Sequence, residues 1–204
     1  MKRFTTEARS DWEKKVEEVG LLFHHTKDGL YWDETAYYEL TSSEVEELER
    51  ATNELQRVCL DAAQHIIDTN QFDRLAIPPA CVPLIRATWE EEPPAIYGRF
   101  DLSYDGRTPP KLLEYNADTP TALLEASVVQ WFWLEEKFKR SDQFNSIHER
   151  LLGKWTELRD YLKGSPLYFA YSGGSVEDMV TVSYLQDTAE QAGLRTSRIA
   201  MEEI

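Results

Sequence analysis

Polar residues stand at every second position of two short segments: Arg99, Asp101 and Ser103 in RFDLSYD, and Glu114 and Asn116 in LLEYN. Side chains of a β-strand alternate faces, so each segment presents its polar set on one side. Phe100, Leu102 and Tyr104, and Leu113 and Tyr115, fall on the other. Asp105-Gly106 supplies a turn between them, and Pro109-Pro110 stiffens its exit. If the apolar sets share one buried face, register brings Arg99, Asp101, Glu114 and Asn116 together on the opposite one. Two carboxylates and a carboxamide, with no Cys or His among them, suit a hard cation such as Mg²⁺, commonly held by carboxylates together with substrate phosphates. Arg99 cannot ligate a metal, but it can fork onto a carboxylate or phosphate bound beside Asp101, and the quartet then reads as a phosphoryl-transfer site. Ordinary cross-strand pairing on a solvated sheet face has the same pattern, and alternation alone does not separate the two.

The surrounding elements must hold this hairpin. Residues 1–40 are rich in aromatic side chains, with a short helix near 7–18 and irregular structure after it. Thr41 with Glu44, or Ser43 with Glu46, makes a capping box that opens a long helix. Val45, Leu48, Leu55, Val58, Ala62 and Ile66 then form a stripe near the 3.6 period, expected to face a core, until Asp68-Thr69-Asn70 breaks it. After Ile77-Pro78-Pro79 a short helix runs from Val82 to Trp89, and EEEPP at 90–94 is a loop. A buried helix is expected from Thr119-Pro120, with Thr119 as N-cap and Pro120 in the first turn, and its Trp131-Phe132-Trp133 reads as core or as an interface. An amphipathic helix follows over about 142–163. The tail reads strand 166–171, turn SGGS with Ser175 as helix cap, helix 176–192 closed by Gly193, and strand 194–201. That is a βαβ unit with parallel strands.

The expected fold class is therefore α/β with α+β character. A helix-rich region over 1–142 carries the hairpin at about 96–116, and an α/β unit over 143–204 begins an open sheet. Because the chain stops directly after the second strand, it is expected to be part of a longer polypeptide. At 204 residues and 42% hydrophobic it can bury a sizeable core. Its net charge of −15 argues against a sequence-independent grip on nucleic acid or anionic membranes and suits a cationic partner. The two cysteines, Cys59 and Cys81, lie in unlike contexts, and neither CxxC nor HExxH occurs, so no disulfide scaffold or zinc motif is read. His24-His25 reads as a solvated or structural pair. No signal-peptide core or apolar run long enough to span a membrane is present, which fits a soluble, cytoplasmic protein.

The string GRFDLSYD…LLEYNADTPTALLEAS resembles the synthetase domain of glutathionylspermidine synthase and its bacterial homologues, in which a G-R-x-D strand is followed by E-Y-N-A-D. YWDETAYYELTSSEVEELERATNEL and the βαβ tail are also similar. The resemblance implies an ATP-grasp-type C–N ligase, with ATP and Mg²⁺ as cofactors, that phosphorylates a carboxylate and lets an amine displace the phosphate. It implies Asp101, Glu114 and Asn116 as Mg²⁺ ligands. Arg99 becomes the catalytic residue meeting both the acyl substrate and the transferring phosphoryl group, and Arg99 and Asp101 the contacts to ATP. Thr119 stands where the family has a serine touching its peptide substrate, and Glu177-Asp178 matches an acidic pair near the substrates. The loop before that pair, Tyr171-Ser-Gly-Gly-Ser175, departs from the family, so substrate identity does not carry over.

The implied substrates are a carboxylate-bearing peptide and an amine or polyamine, with no nucleic acid or membrane partner. The chain corresponds to the N-terminal, pre-ATP-grasp-like part, without the nucleotide-gripping lobe, and is expected to be inactive by itself. Two rival readings remain open at this point: a non-catalytic polyamine- or peptide-binding module of the same fold, and a structural interaction domain.

Overall fold

A computed structural model describes residues 1–118 and 120–204. In chain order the elements are β1 (Lys2–Thr5), α1 (Trp12–Glu18), β2 (His25–Thr26), β3 (Gly29–Leu30), β4 (Ala36–Glu39), α2 (Ser42–Thr69), α3 (Val82–Glu91), β5 (Arg99–Ser103) and β6 (Lys111–Asn116). After a π-helical turn at Glu125–Val129 come α4 (Gln130–Lys137), α5 (Ile147–Leu162), β7 (Leu167–Tyr171), α6 (Val176–Gln191) and β8 (Thr196–Ala200). With helices and small two-stranded sheets, this is an α/β protein. Among the described residues no helix is long and apolar enough to cross a membrane.

The chain forms two compact units, one of Met1 with Leu40–Ala117 and one of Lys2–Glu39 with Asp118–Ile204. This division differs from a linear cut at 142/143. The reason is the N-terminal segment: β1 pairs antiparallel with β4, and the Arg9 guanidinium donates to the carbonyl of Phe132, so residues 2–39 join the C-terminal half.

In the first unit, α2 starts where the capping box places it. Thr41 Oγ1 accepts from Glu44 N at 3.3 Å, and Thr41 N donates to Glu44 Oε2 at 2.8 Å, so each end of the box satisfies an otherwise unpaired amide. The helix stops at Asn70, which takes the left-handed conformation (φ 53°) that Asn tolerates and larger side chains resist. α3 is held against it by the Trp89 indole N–H donating to Gln64 at 2.6 Å, and Arg86 of α3 lies over the ring of Phe72, in the turn after α2, at 5.2 Å. The apolar stripe of α2 is not core-facing throughout. Val45, Leu48, Leu55 and Ile66 are half-buried, Val58 and Ala62 are exposed, and Ile67, off the expected stripe, is the buried residue of the helix. A single helix beside α3 and one hairpin has more apolar face than those neighbours cover.

In the second unit the βαβ expectation is met: β7 and β8 are parallel, pairing Leu167 with Thr196 through Tyr171 with Ala200. α5 and α6 pack together through Trp155, whose indole N–H donates to the buried Thr188 Oγ1 at 2.9 Å and whose ring meets Phe169 edge-on at 5.8 Å. Ser175 caps α6, accepting from Asp178 N at 3.1 Å. Two helix starts move. Leu123 opens the helical run expected from Thr119-Pro120, because Ala122 sits at φ 61° and cannot propagate a right-handed helix; the expected cap, Thr119, lies outside the described residues. α5 begins at Ile147 rather than near 142, since Asn145 and Asp142 turn their side chains onto backbone groups instead, Asn145 reaching the carbonyl of Ala126 at 3.1 Å. Of the aromatic triplet, Trp133 is buried, while Trp131 and Phe132 are 37% and 46% exposed. Trp131 lines a groove of about 380 Å³ with Leu134, Phe138 and Lys139.

Candidate functional site

The hairpin forms as the alternation requires. β5 and β6 are antiparallel, Arg99 lies opposite Asn116, and Asp101 lies opposite Glu114. All four side chains therefore share one face of the ladder. On the other face Phe100 stacks on Tyr115 with ring centroids 4.1 Å apart, and the Tyr115 hydroxyl donates to Gln56 of α2 at 2.6 Å. That bond ties the rear of the hairpin to the long helix. Gly98, ahead of the quartet, allows the strands to close: an added Cβ would lie 2.9 Å from the Tyr115 ring and 3.3 Å from the carbonyl of Asn116.

One part of the expected pattern fails. Between Asp101 and Leu102 the register shifts, so that Leu102 faces Leu112 and Leu113 is left over as a bulge. Leu113 is 70% exposed instead of joining Phe100, Leu102 and Tyr115 on an apolar face. A bulge adds one residue to one strand and increases the local twist, so alternation counted along β6 holds only from Glu114 onward. The quartet lies wholly on the regular side of it.

Arg99 and Asp101 are already paired. Arg99 Nε donates to Asp101 Oδ1 at 2.8 Å, and a second guanidinium nitrogen approaches Oδ2 at 3.4 Å. This hydrogen bond, with the attraction of the positive charge, holds the Asp101 carboxyl below its ordinary range, so it is ionised at neutral pH. Both side chains are 37% exposed, open to a ligand in solution. Glu114 is exposed beside them. Asn116 is unusual: its Nδ2 is buried and has no hydrogen-bond partner among the described residues. Buried amides are normally satisfied, so the unpartnered group leaves room for a further hydrogen bond or ligand on this face. In this amide orientation it offers a donor to a phosphoryl oxygen; with O and N exchanged it offers a carbonyl oxygen to a cation. Two carboxylates and this amide form an all-oxygen set that fits Mg²⁺. Ahead of the strand, burial pushes the Tyr97 hydroxyl up to about 12, so it stays a neutral donor.

The turn is built by Asp105. Its carboxylate accepts from Thr108 N at 2.8 Å, Arg107 N at 2.9 Å and the Thr108 hydroxyl at 3.0 Å. These bonds pull its pKa down to about 2. A folded value below the unfolded one of about 3.9 stabilises the turn above that pH, and the contribution is lost as pH falls toward 2. Carbon-13 NMR of the Asp105 carboxyl is expected to show a midpoint near the value given above, and Thr108→Val to move it upward; an unshifted midpoint in the variant would show that the hydroxyl contributes nothing.

Glu177 and Asp178 stand in the first turn of α6, in the second unit, where acidic side chains complement the helix dipole. The SGGS turn before them does receive an anion, although an internal one: Gly173 N donates to the Glu202 carboxylate at 3.3 Å. Sequence reading missed Gln56, since nothing local in α2 marks a residue that reaches a tyrosine in a distant strand.

The glutathionylspermidine synthase preATP-grasp family model matches residues 3–204. A Haemophilus influenzae protein assigned as an acid–amine ligase is 39% identical over 211 residues, covering 100% of this chain and 53% of that protein. The bifunctional glutathionylspermidine synthetase/amidase of Escherichia coli is 30% identical over 165 residues, covering 78% of this chain and 26% of that protein. The glutathionylspermidine synthase of Crithidia fasciculata is 36% identical over 100 residues, covering 47% of this chain and 14% of that protein. The chain thus spans about half or less of the length of the relatives it matches. With the family model spanning nearly all of it, the chain belongs to the glutathionylspermidine synthase preATP-grasp family.

Proposed function

We propose that these residues form the acceptor side of an ATP- and Mg²⁺-dependent acid–amine ligase of ATP-grasp type, which forms an amide through an acyl phosphate. The observation that carries the reading is the ladder register: Arg99, Asp101, Glu114 and Asn116 share one face, in a chain of the glutathionylspermidine synthase preATP-grasp family. Asp101, Glu114 and Asn116 would hold Mg²⁺, which when bound would neutralise charge on the polyphosphate. Arg99 sits at the edge of that set. Its planar fork suits a carboxylate and a phosphoryl group in turn, and a strand fixes it without reorganisation at the moment of reaction.

The substrates proposed are a carboxylate-bearing peptide and an amine or polyamine. By the family resemblance Thr119 is assigned to the peptide substrate, and Glu177 and Asp178, in the first turn of α6, to substrate binding, where their negative charge would suit a cation. The nucleotide-gripping elements would come from sequence beyond these residues, which alone are expected to turn over little or nothing. Free Cys59 and Cys81 suit a reducing, cytoplasmic setting.

The test is hydroxylamine trapping with the full-length protein, ATP, Mg²⁺ and a panel of carboxylate peptides. A hydroxamate formed only when ATP is present supports the acyl phosphate. Amide formation with no trapped species, or with no release of ADP, overturns it. The net charge of −15 favours a second reading, a polyamine-binding module without catalysis. That reading requires polyamine affinity unaffected by Asp101→Ala and Glu114→Ala, together with no ATP turnover.

A further inference from the structure

The second unit holds a cluster that sequence alone presents as an incidental histidine pair. Glu13 and Glu17 are four residues apart on α1, so their side chains share one helix face. After the helix, the chain turns back through the fully buried Leu21 and sets His24 and His25 against that face. His24 Nε2 lies 2.8 Å from Glu17 Oε1. A carboxylate only accepts, so Nε2 is the donor, and in the neutral tautomer that this contact selects Nδ1 keeps its lone pair. That lone pair faces His25 Nδ1 at 2.9 Å, and His25 Nδ1 is in turn 3.6 Å from Glu13 Oε1. One ligand atom from each of Glu13, His24 and His25 lies within 4.8 Å of the other two.

We propose that Glu13, His24 and His25 bind a borderline divalent ion of the Zn²⁺ class, with Glu17 as the residue that orients His24. Two imidazole nitrogens and one carboxylate oxygen are a ligand set Zn²⁺ accepts readily and Mg²⁺ does not, and three protein ligands leave a fourth position for water. The spacing fits as well. Ligand atoms about 2.0–2.1 Å from a tetrahedral ion lie roughly 3.3 Å apart, and the His24–His25 and His25–Glu13 separations, 2.9 and 3.6 Å, bracket that value. The rings are held before any ion arrives: Trp12 meets His24 edge-on at 5.5 Å and lies beside His25 at 5.8 Å. The Glu17–His24 hydrogen bond is the outer-shell contact that metal-ligating histidines usually make, where it fixes the tautomer and raises ligand basicity. An ion here would clamp β2 to α1. The set shares no residue with the hairpin, which belongs to the other compact unit.

The test uses tag-free, metal-stripped full-length protein titrated with zinc chloride by calorimetry and with Co²⁺ by visible absorption. One equivalent should bind, with the d–d bands of a four-coordinate ion. His24→Gln and His25→Gln should each lose at least about tenfold in affinity, and Glu17→Gln about tenfold through orientation alone. Asp101→Asn and Glu114→Gln should leave the zinc isotherm unchanged. Absence of saturable zinc binding, or an isotherm unmoved in both histidine variants, overturns the proposal. If those variants fail to fold by circular dichroism, nitrogen-15 NMR of the unaltered protein decides: zinc must shift the ring nitrogens of His24 and His25, and binding without those shifts rejects the site.

Discussion

Asp101→Asn in the full-length protein is expected to lower kcat for amide formation by about a hundredfold or more, the scale seen when one preorganised charged contact to a transferring group is removed. The change keeps the side chain's size and removes its charge, and it acts twice. It takes one of two carboxylates from the proposed cation set, and it weakens the 2.8 Å hydrogen bond that now aims Arg99, since an amide Oδ1 still accepts but without the charge. Two further variants separate the effects. Glu114→Gln removes the second carboxylate without touching that bond, so it should raise the Mg²⁺ concentration needed for half-maximal rate. Arg99→Lys keeps the positive charge and loses the fork, so kcat should fall while the Mg²⁺ requirement holds.

The pH profile supplies an independent check. Because Arg99 holds the Asp101 carboxyl below its ordinary range, the ionised form persists to lower pH in the folded protein, and its contribution is lost only as pH falls through that depressed value. In Arg99→Met the acid limb of the rate should move up toward an ordinary carboxylate. Activity of Asp101→Asn, Glu114→Gln and Arg99→Lys all within about twofold of the unaltered enzyme would leave the hairpin face as ordinary solvated pairing.

The largest stability effect is expected in the second unit, at Arg9 and Glu34. Their side chains are 5% and 0% exposed, and Arg9 gives Glu34 a guanidinium hydrogen bond at 2.7 Å, two from Nε at 3.1 Å, and one from its own backbone N–H at 3.1 Å. Trp32 Nε1 adds another at 3.3 Å. A buried pair with its donors matched this fully is tolerated, but removing one partner strands the other charge. Arg9→Met is therefore expected to cost about 3–5 kcal/mol in urea unfolding. Arg9→Met with Glu34→Leu should recover part of that loss, because no charge is left buried. The recovery stays incomplete, since the Arg9 amide and the Trp32 indole lose their acceptor. If the double variant is as unstable as the single one, the pair acts through packing and not through charge.

The capping box at Thr41, the left-handed stop at Asn70, the Asp105 turn and the Ser175 cap all lie within a few residues of the groups they satisfy, and each was legible in the sequence for that reason. The quartet was legible through a period of two, which survives for as long as the ladder is regular. It stops at Leu113, where a bulge that no local pattern announces turns a core position outward. One helix start shifts because Asn145 takes a distant backbone partner, the carbonyl of Ala126, and the other because Ala122 adopts a positive φ that no local pattern announces.

By itself, then, the sequence determined the short-range devices: caps, turns, the parallel βαβ tail, and the four residues that share a strand face. Their partners are close along the chain, and little entropy is spent in bringing them together. Tertiary structure alone decided that residues 2–39 belong with the C-terminal half, that Arg9 and Glu34 form a buried pair, that α2 leaves Val58 uncovered, and that two glutamates of α1 meet His24 and His25. Those contacts follow from which apolar surfaces bury one another, and no periodicity along a single segment records that choice.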